Sequence, residues 1–263
     1  MISGRKDLRK ARRVVVKVGT KSLTADSKLD ENKVKKLVSD VMVLRKQGRD
    51  VLVVTSGAVG AGMGRMGLAK RPKQLPLLQA SAAVGQGLLM QTYEKHFSHW
   101  KQPTAQMLLS AEDFTDSARY SNFKNTLSIL LKWEVVPVIN ENDTVAVEEI
   151  KLGDNDILSA YVAKGAKADL LLILSDVDGL YSGAPSDGKS HIIPLVRRVT
   201  PKIERAVLKS SGGFGGMFTK VQAARMASEA GTAVVIANAA ARDVLGRIIR
   251  GQEVGTMFLP RVD

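Results

Sequence analysis

Residues 135–143 have the sequence VVPVINEND, in which an apolar, β-branched run is followed directly by the polar cluster Asn140-Glu141-Asn142-Asp143. An apolar run with so little alternation is typical of a strand buried on both faces of a parallel sheet. Runs of the same kind recur almost from end to end and alternate with segments of helical periodicity. This alternation predicts an α/β fold, a three-layer α/β/α sandwich around an open, mainly parallel sheet.

The positions of the elements follow from these periodicities. Strands are predicted at residues 13–18, 50–55, 104–109, 135–139, 170–174 and 233–237. Helices are predicted at residues 31–47, 77–97, 117–132, 157–163, 202–209, 219–230 and 243–250, a hairpin at 144–152 and a surface loop at 182–190. No linker interrupts this series, so residues 1–263 are predicted to form a single domain with two lobes that change over near residue 167.

The composition, with 44% hydrophobic and 25% charged residues, is that of an ordinary soluble globular protein. No apolar run approaches the roughly 18 residues of a membrane span, and no secretory signal precedes the first strand. The absence of cysteine excludes disulfides and thiol chemistry. We therefore expect a cytoplasmic protein without a membrane partner.

The formal net charge of +13 raises the question of nucleic-acid binding. The basic residues are scattered in small groups, and the few aromatic residues do not interleave with them as a base-stacking surface would require. We interpret the charge as solvated faces that also attract anionic substrates, and we expect no nucleic-acid partner. The histidines His96, His99 and His191 lack metal-ligand or catalytic-triad spacing and are predicted to be surface residues.

A second polar cluster, Gly153-Asp154-Asn155-Asp156, follows the first after a short mixed stretch. A buried unpaired charge costs on the order of several kcal/mol, so we expect both clusters to face a polar ligand, a metal or solvent. Their carboxylates and amides supply both hydrogen-bond donors and acceptors. Such groups suit the ammonium group of a small zwitterion.

The ends of the first two predicted strands carry candidate ligand-binding residues. Lys17 lies in an apolar strand, which indicates a nearby anion, although a lysine on an edge strand would look the same. Gly19 would let a ligand approach the backbone and offer an N–H donor. Residues 55–62, TSGAVGAG, are typical of an open turn whose N–H groups face an anion, or of a tight strand-to-helix turn. Within it, Ser56 could donate its hydroxyl to a substrate carboxylate.

Two later segments suit a nucleotide. Residues 210–217, SSGGFGGM, precede a predicted helix with Lys220 in its first turn, an arrangement that suits phosphate oxygens. The spacing of a Walker-type loop is absent, and a flexible surface loop would have a similar composition. Residues 175–181, SDVDGLY, follow a predicted buried strand and suit a base or ribose, or form a plain strand-to-loop turn.

Taken together and in this order, these motifs resemble the amino acid kinase family over about residues 13–258. The resemblance rests on the lysine-glycine-threonine strand end, the serine-glycine-alanine turn, the segment AVGQ at residues 83–86, the two acidic clusters and the glycine loop with its lysine. The AVGQ segment and the paired clusters resemble the members that act on glutamate rather than those for aspartate, acetylglutamate or uridylate. The implied activity is ATP-dependent phosphorylation of the γ-carboxylate of L-glutamate to L-glutamyl 5-phosphate, the first step of proline biosynthesis.

The resemblance also assigns roles to residues. Those implied to hold glutamate are Ser56, Asp143 and Asn155. Those implied to be catalytic are Lys17, at the transferring phosphoryl group, Lys220, and Asp156, which would orient both lysines. Those implied to bind ATP are Lys17, Gly19, Ser175, Asp176, Phe214, Gly215, Gly216, Met217, Phe218, Thr219 and Lys220. The lobe at about residues 1–167 would bind the amino acid, and the lobe at about 168–263 the nucleotide.

Two features depart from the family pattern. Phe214 and Phe218 stand where relatives usually have small hydroxylated residues, within the segment implied to contact the nucleotide. The sequence also ends at Asp263, without the C-terminal PUA domain that many bacterial relatives carry. We expect the kinase unit to be complete without that domain.

The implied reaction needs no general base, because a glutamate γ-carboxylate with a reference pKa of about 4.3 is already ionised at neutral pH. Catalysis would consist of positioning and of charge stabilisation by the two lysines, the glycine N–H groups and a Mg²⁺ ion carried with ATP. No metal ligand of the protein itself is assigned. The resemblance further implies hand-over of the reactive product to glutamyl phosphate reductase, feedback inhibition by proline, and a homo-oligomer, dimer or tetramer.

Three alternatives stay open at the level of sequence. The first is a carboxylate kinase of the same fold that acts on aspartate or acetylglutamate. The second is a non-catalytic sensor of an amino acid or a nucleotide, against which the presence of Lys17, Lys220 and both acidic clusters argues. The third is a nucleic-acid-binding protein, which only the net charge suggests.

Overall fold

The structure is a computed structural model that describes residues 2–26, 28–145, 155–183, 190–210 and 216–261. The predicted hairpin at 144–152, apart from its first two residues, and most of the predicted loop at 182–190 lie outside this part of the chain. A short 3-10 helix, Arg5–Lys10, precedes the first strand.

The described strands and helices have the following bounds in chain order. They are β1 (Arg13–Val18), α1 (Thr20–Leu23), β2 (Thr24–Ala25), β3 (Lys28–Leu29), α2 (Glu31–Lys46), β4 (Asp50–Val54), α3 (Ala58–Arg65), α4 (Leu75–Ser98), β5 (Thr104–Leu109), α5 (Glu112–Thr115), α6 (Ser117–Lys132), β6 (Val136–Glu141), α7 (Asp156–Ala166), β7 (Leu170–Ser175), β8 (Leu195–Val196), α8 (Pro201–Ser210), α9 (Met217–Glu229), β9 (Ala233–Asn238), α10 (Val244–Ile249) and β10 (Thr256–Phe258).

The chain divides into two compact units. One comprises Met1–Lys17 together with Asp156–Asp263, and the other is Val18–Asn155. The N-terminal strand is therefore grouped with the C-terminal part of the chain, and the change at residue 155 comes before the predicted change of lobes near residue 167. The functional division into an amino-acid lobe and a nucleotide lobe stays a prediction.

The unit of Met1–Lys17 and Asp156–Asp263 is built on strands in the order β1, β7, β9, β10 and β8. β7 and β9 are parallel, with Leu170 opposite Ala233 and Ser175 opposite Asn238. The carboxylate of Asp169, just before β7, accepts hydrogen bonds from the backbone N–H groups of Arg12 and Arg13 at 2.8 and 2.9 Å. This contact holds the starts of β1 and β7 together, so their carboxyl ends lie at the same edge.

The unit Val18–Asn155 has β6 between β5 and β4, and both pairs are parallel. Helices α3 and α4 touch backbone to backbone. A Cβ atom built on Gly85 would overlap the carbonyl oxygen of Ala58 and the amide nitrogen of Gly62, and one built on Gly62 would overlap the carbonyl oxygen of Ser81. Glycine is therefore required at this crossing, which holds α4 next to the carboxyl ends of the strands.

The predicted strands and helices are all present, with ends shifted by no more than three residues. The interpretation of residues 55–62 as an open turn is wrong, because helix α3 already begins at Ala58. The turn is confined to Ser56 and Gly57, and Gly57 has φ 106°, which only glycine adopts readily. The short elements β2, β3, α1, α5, β8 and β10 were not predicted, because two to four residues carry no periodic signal.

Among the described residues, no helix is both long enough and apolar enough to cross a membrane.

Candidate active site

Three charged side chains from distant parts of the chain meet in the unit of Met1–Lys17 and Asp156–Asp263. Lys17 Nζ lies 2.6 Å from Oδ1 of Asp156, and Lys220 Nζ lies 3.0 Å from Oδ2 of the same carboxylate. Lys17 and Asp156 are fully buried, and Lys220 is 7% exposed. Lys17 comes from the end of β1, Asp156 opens α7 and Lys220 lies in the first turn of α9. Two ammonium groups beside one carboxylate suit an anion, because their charges sum to a net positive one.

The start of α9 supports this arrangement. Thr219 Oγ1 donates a hydrogen bond to Asp156 Oδ2 at 3.0 Å, and Lys220 Nζ also donates to the carbonyl oxygen of Gly216 at 3.3 Å. Gly216 caps the helix with φ 53°, in the region that favours glycine. The predicted ATP-binding residues Phe214 and Gly215 lie outside the described residues. Of the others in this segment, Met217 and Phe218 are partly exposed and Thr219 is buried.

The carboxyl ends of β7 and β9 carry a second polar group in the same unit. Ser175 Oγ donates to Asp176 Oδ1 at 3.1 Å, and Asn238 Nδ2 donates to Asp178 Oδ1 at 2.9 Å. Ser175 is buried, whereas Asp176 and Asp178 are exposed. The predicted pair Ser175 and Asp176 is therefore in contact, and sequence reasoning missed Asn238, which the parallel register places opposite Ser175.

A buried amide cluster occupies the carboxyl ends of β4 and β6 in the unit Val18–Asn155. Asn155 Nδ2 donates hydrogen bonds to the carbonyl oxygen of Thr55 at 2.5 Å and to Oδ1 of Asn140 at 2.7 Å, and lies 3.3 Å from Oγ of Ser56. Asn140, Asn155 and Ser56 are all at most 2% exposed. The structure thus brings together Ser56 and Asn155, two of the three residues predicted to hold glutamate.

Two residues of α4 complete this cluster, and sequence reasoning missed their part in it. Gln86 Oε1 accepts a hydrogen bond from Asn140 Nδ2 at 2.8 Å, and the hydroxyl of Tyr93 lies 2.8 Å from Oγ1 of Thr55. Burial raises the pKa of the Tyr93 phenol, although its bond to Thr55 acts in the opposite direction. Tyr93 therefore stays a neutral hydroxyl. Gln86 belongs to the AVGQ segment, but nothing local in the sequence indicates its partner.

Asp143, the third residue predicted to hold glutamate, is 8% exposed and lies beyond β6. Burial, and to a smaller extent the charge of Glu141, raise the pKa of its carboxyl to about 7, and the charge of Arg71 acts in the opposite direction. Glu141 is itself buried at the end of β6. An acid with a pKa near neutrality accepts a cationic ligand by losing its proton.

The interpretation of all three histidines as surface residues is wrong for His96. Its side chain is 7% exposed, on the buried face of α4, and burial lowers its pKa. Gly19 has an ordinary φ of −81° and caps the short helix α1, so its conformation does not itself require glycine. Among the described residues, no group of three or more His, Cys, Asp or Glu side chains could hold a metal ion.

Comparison with known protein families gives one match that covers most of the chain. The model of the amino acid kinase family matches residues 12–238. Among curated proteins, the glutamate 5-kinase of Caldanaerobacter subterraneus subsp. tengcongensis is 50% identical over 252 residues, covering 94% of this chain and 68% of that protein. The glutamate 5-kinase of Moorella thermoacetica is 48% identical over 97% of this chain and 68% of that protein, and the glutamate 5-kinase of Clostridium tetani is 43% identical over 95% and 96%.

Two solved structures share the fold. The UMP kinase from Bacillus anthracis has a TM-score of 0.64 at 14% identity and covers 96% of this chain and 97% of that chain. The carbamate kinase from Giardia lamblia bound to AMP-PNP has a TM-score of 0.67 at 19% identity, covering 96% and 100%. These likenesses and the family match confirm the predicted α/β fold class.

Proposed function

Since the chain belongs to the amino acid kinase family, we propose that it transfers the γ-phosphoryl group of ATP to the γ-carboxylate of L-glutamate. The product is L-glutamyl 5-phosphate, and the reaction is the one for which the glutamate 5-kinases are named. Relatives with that name at 43–50% identity over about 95% of the chain support the choice of glutamate. The single structural observation that carries the proposal is the contact of Lys17 and Lys220 with the two oxygens of Asp156.

For this reaction the protein needs only to position the two substrates and to stabilise the negative charge of the transition state. The attacking γ-carboxylate is ionised at neutral pH, so no side chain needs to remove a proton from it. The transition state of phosphoryl transfer spreads negative charge over the transferring group, and ammonium groups held in place stabilise that charge. We assign this role to Lys17 and Lys220, and we assign to Asp156 the role of holding both Nζ atoms in position.

The nucleotide is proposed to bind in the unit of Met1–Lys17 and Asp156–Asp263. The N-terminus of α9 offers N–H groups and a partial positive charge to phosphate oxygens, and Lys220 lies in its first turn. Ser175 and Asp176 at the end of β7 are proposed to contact the base or ribose. Mg²⁺ is proposed to enter with ATP, because it binds readily to phosphate oxygens.

Glutamate is proposed to bind to Ser56, Asp143 and Asn155 in the unit Val18–Asn155. Asp143 would accept the ammonium group, since an acid next to Glu141 gains from a cationic partner. The Oδ1 atom of Asn155 is buried and has no hydrogen-bond partner among the described residues, so it offers a second acceptor. Ser56 would donate its hydroxyl to a carboxylate of the ligand.

Several further expectations depend on this function. An acyl phosphate reacts with water, so we propose hand-over of the product to a reductase, glutamyl phosphate reductase. Feedback inhibition by proline and a homodimeric or homotetrameric state are also proposed from the family resemblance, and cytoplasmic residence is proposed from the composition of the sequence.

Trapping of the acyl phosphate tests the function. Hydroxylamine converts an acyl phosphate to a stable hydroxamate, which is measured by its coloured iron complex. We expect hydroxamate when glutamate, ATP and Mg²⁺ are all present, and less than a tenth of that signal with aspartate or N-acetylglutamate. Lys220→Met should remove the signal, whereas Lys202→Met, a change at an exposed lysine of α8, should leave it unchanged. A signal with another acid but none with glutamate would contradict the proposal.

A further inference from the structure

The side chains of Gln86, Asn140 and Asn155 form a continuous chain of amide hydrogen bonds, in which Asn140 and Asn155 are buried and Gln86 is partly buried. Asn155 Nδ2 donates to Asn140 Oδ1 at 2.7 Å, and Asn140 Nδ2 donates to Gln86 Oε1 at 2.8 Å. We call these three side chains the amide relay. It joins helix α4 to the end of β6 and to the residue that precedes α7, all within the unit Val18–Asn155.

The direction of every amide in the relay is fixed from one end. The carbonyl oxygen of Thr55 can only accept a hydrogen bond, so the group of Asn155 that faces it must be the donor, Nδ2. Asn140 must then turn Oδ1 towards Asn155 and Nδ2 towards Gln86. Gln86 in turn must present Oε1 to Asn140. No amide in this series can flip without placing two donors or two acceptors against each other.

With the amides oriented in this way, one polar atom at each end of the relay has no hydrogen-bond partner among the described residues. The Oδ1 atom of Asn155 and the Nε2 atom of Gln86 are buried and have no hydrogen-bond partner among the described residues. A buried polar atom without a partner is costly, so native proteins usually satisfy it with a ligand, water or another part of the chain. The acceptor at Asn155 is one of the atoms proposed above for the ammonium group of the substrate.

We propose that Gln86 is a positioning residue for substrate binding, which acts through Asn140 to hold Asn155 with its Oδ1 atom free to accept from an ammonium group. The working atom of Gln86 is Oε1, because it accepts the hydrogen bond that keeps Asn140 in place. The packing of α4 supports this role. Gly85 lies in backbone contact with α3, so the neighbouring Gln86 is carried by a helix that cannot shift easily.

The inference rests on the proposed function and predicts an effect confined to glutamate. Gln86→Met keeps the length of the side chain but removes the acceptor, so Asn140 and Asn155 lose their fixed positions. We expect the Kd for glutamate, measured by calorimetry, to rise about tenfold, with the KM for ATP and kcat within twofold of the wild-type values. If Gln86 had a purely structural role, Gln86→Met would bind both glutamate and ATP more weakly, and its kcat and Tm would both be lower.

Two further variants make the test specific. Gln86→Glu keeps an oxygen that accepts from Asn140 Nδ2, and its Kd for glutamate should stay within threefold of the wild-type value. Gln91→Met changes an exposed glutamine of the same helix and should have no effect. If Gln86→Met does not fold, the Gln86→Glu variant carries the test alone.

The outcomes separate this inference from the proposed function. Wild-type affinity for glutamate in Gln86→Met would overturn the inference, and so would a tenfold or larger loss of affinity in Gln86→Glu. An equal loss of glutamate and ATP binding would also overturn it. Absence of glutamate-dependent hydroxamate with the wild-type protein would instead overturn the proposed function.

Discussion

Lys17 and Asp156 form a fully buried ion pair, with 2.6 Å between Nζ and Oδ1. The second oxygen of the same carboxylate binds Lys220, which lies in a different helix far along the chain. Burial of three charged groups is costly unless they are paired or bind a ligand. One positive charge is left over after this pairing, so the cluster fits the proposed role in binding an anion better than a contribution to stability.

Removal of the shared carboxylate should destabilise the fold. In the Asp156→Asn variant, the two buried ammonium groups lose the counter-charge between them. We expect the free energy of unfolding, measured with urea, to fall by about 3–5 kcal/mol, the usual cost of breaking a buried pair. Asp40→Asn breaks an exposed pair with Lys36 and should cost less than about 1 kcal/mol. Equal, small losses in both variants would show that the buried cluster does not depend on Asp156.

Glutamate affinity should depend on pH through Asp143. The pKa of this carboxyl is raised to about 7, so below that pH the free protein carries a proton there. An ammonium ligand favours the ionised carboxylate, so binding must release the proton below pH 7. We expect the Kd for glutamate to rise as pH falls from 8 to 6, by at most about tenfold per pH unit below the pKa.

The variant Asp143→Asn provides the control for this pH effect. Its Kd for glutamate should be higher than the wild-type value at pH 8 and nearly constant from pH 6 to 8. The free energy of unfolding should change with pH in the direction opposite to glutamate affinity. The folded state keeps a proton that the unfolded chain loses between about pH 4 and pH 7, so the wild-type protein loses stability as pH rises through that window, whereas Asp143→Asn does not. A wild-type affinity independent of pH would contradict the assignment.

The crossing of α3 and α4 can be tested with two glycines of the same helix. A Cβ at Gly85 would overlap backbone atoms of Ala58 and Gly62, so Gly85→Ala should lower the free energy of unfolding by about 1–3 kcal/mol or more. A Cβ at Gly87 would have no other heavy atom within 4 Å. Gly87→Ala should therefore raise stability by up to about 1 kcal/mol, the difference in helix propensity. Similar effects of the two changes in urea unfolding would show that the helices do not pack as closely as described.

Much of the fold could be predicted because its strands are buried on both faces. β7 and β9 are buried from end to end, or nearly so, and appear in the sequence as apolar runs with sharp polar ends. Helix α3 was missed because its glycine-rich sequence has low helix propensity, and packing against α4 overrides that preference. β6 continues two residues beyond its predicted end because Asn140 is satisfied inside the fold by other amides.

The site was predictable only as far as local patterns indicate chemistry. Lys17 was predicted as a candidate because a lysine in an apolar strand is unusual, and Lys220 because it follows a glycine-rich loop; the structure places both beside Asp156. The hydrogen bond of Gln86 could not be predicted, since its partner Asn140 is distant in sequence. No sequence spacing indicates which two amide side chains will pair in the folded protein. His96 was predicted wrongly for a similar reason. Its burial depends on which face of α4 is covered, and a single histidine gives no signal of that.

The role of Lys17 is tested most directly by the rate of a single turnover in the variant Lys17→Met, measured by rapid quench with saturating ATP and glutamate. If Lys17 stabilises the transferring phosphoryl group, the rate constant for transfer should fall by about 10²-fold or more, with the Kd for glutamate within threefold of the wild-type value. Lys10→Met, which changes an exposed lysine paired with Asp7, should react like the wild-type protein. Phosphoryl transfer at the wild-type rate in Lys17→Met would show that Lys17 does not stabilise the transferring phosphoryl group.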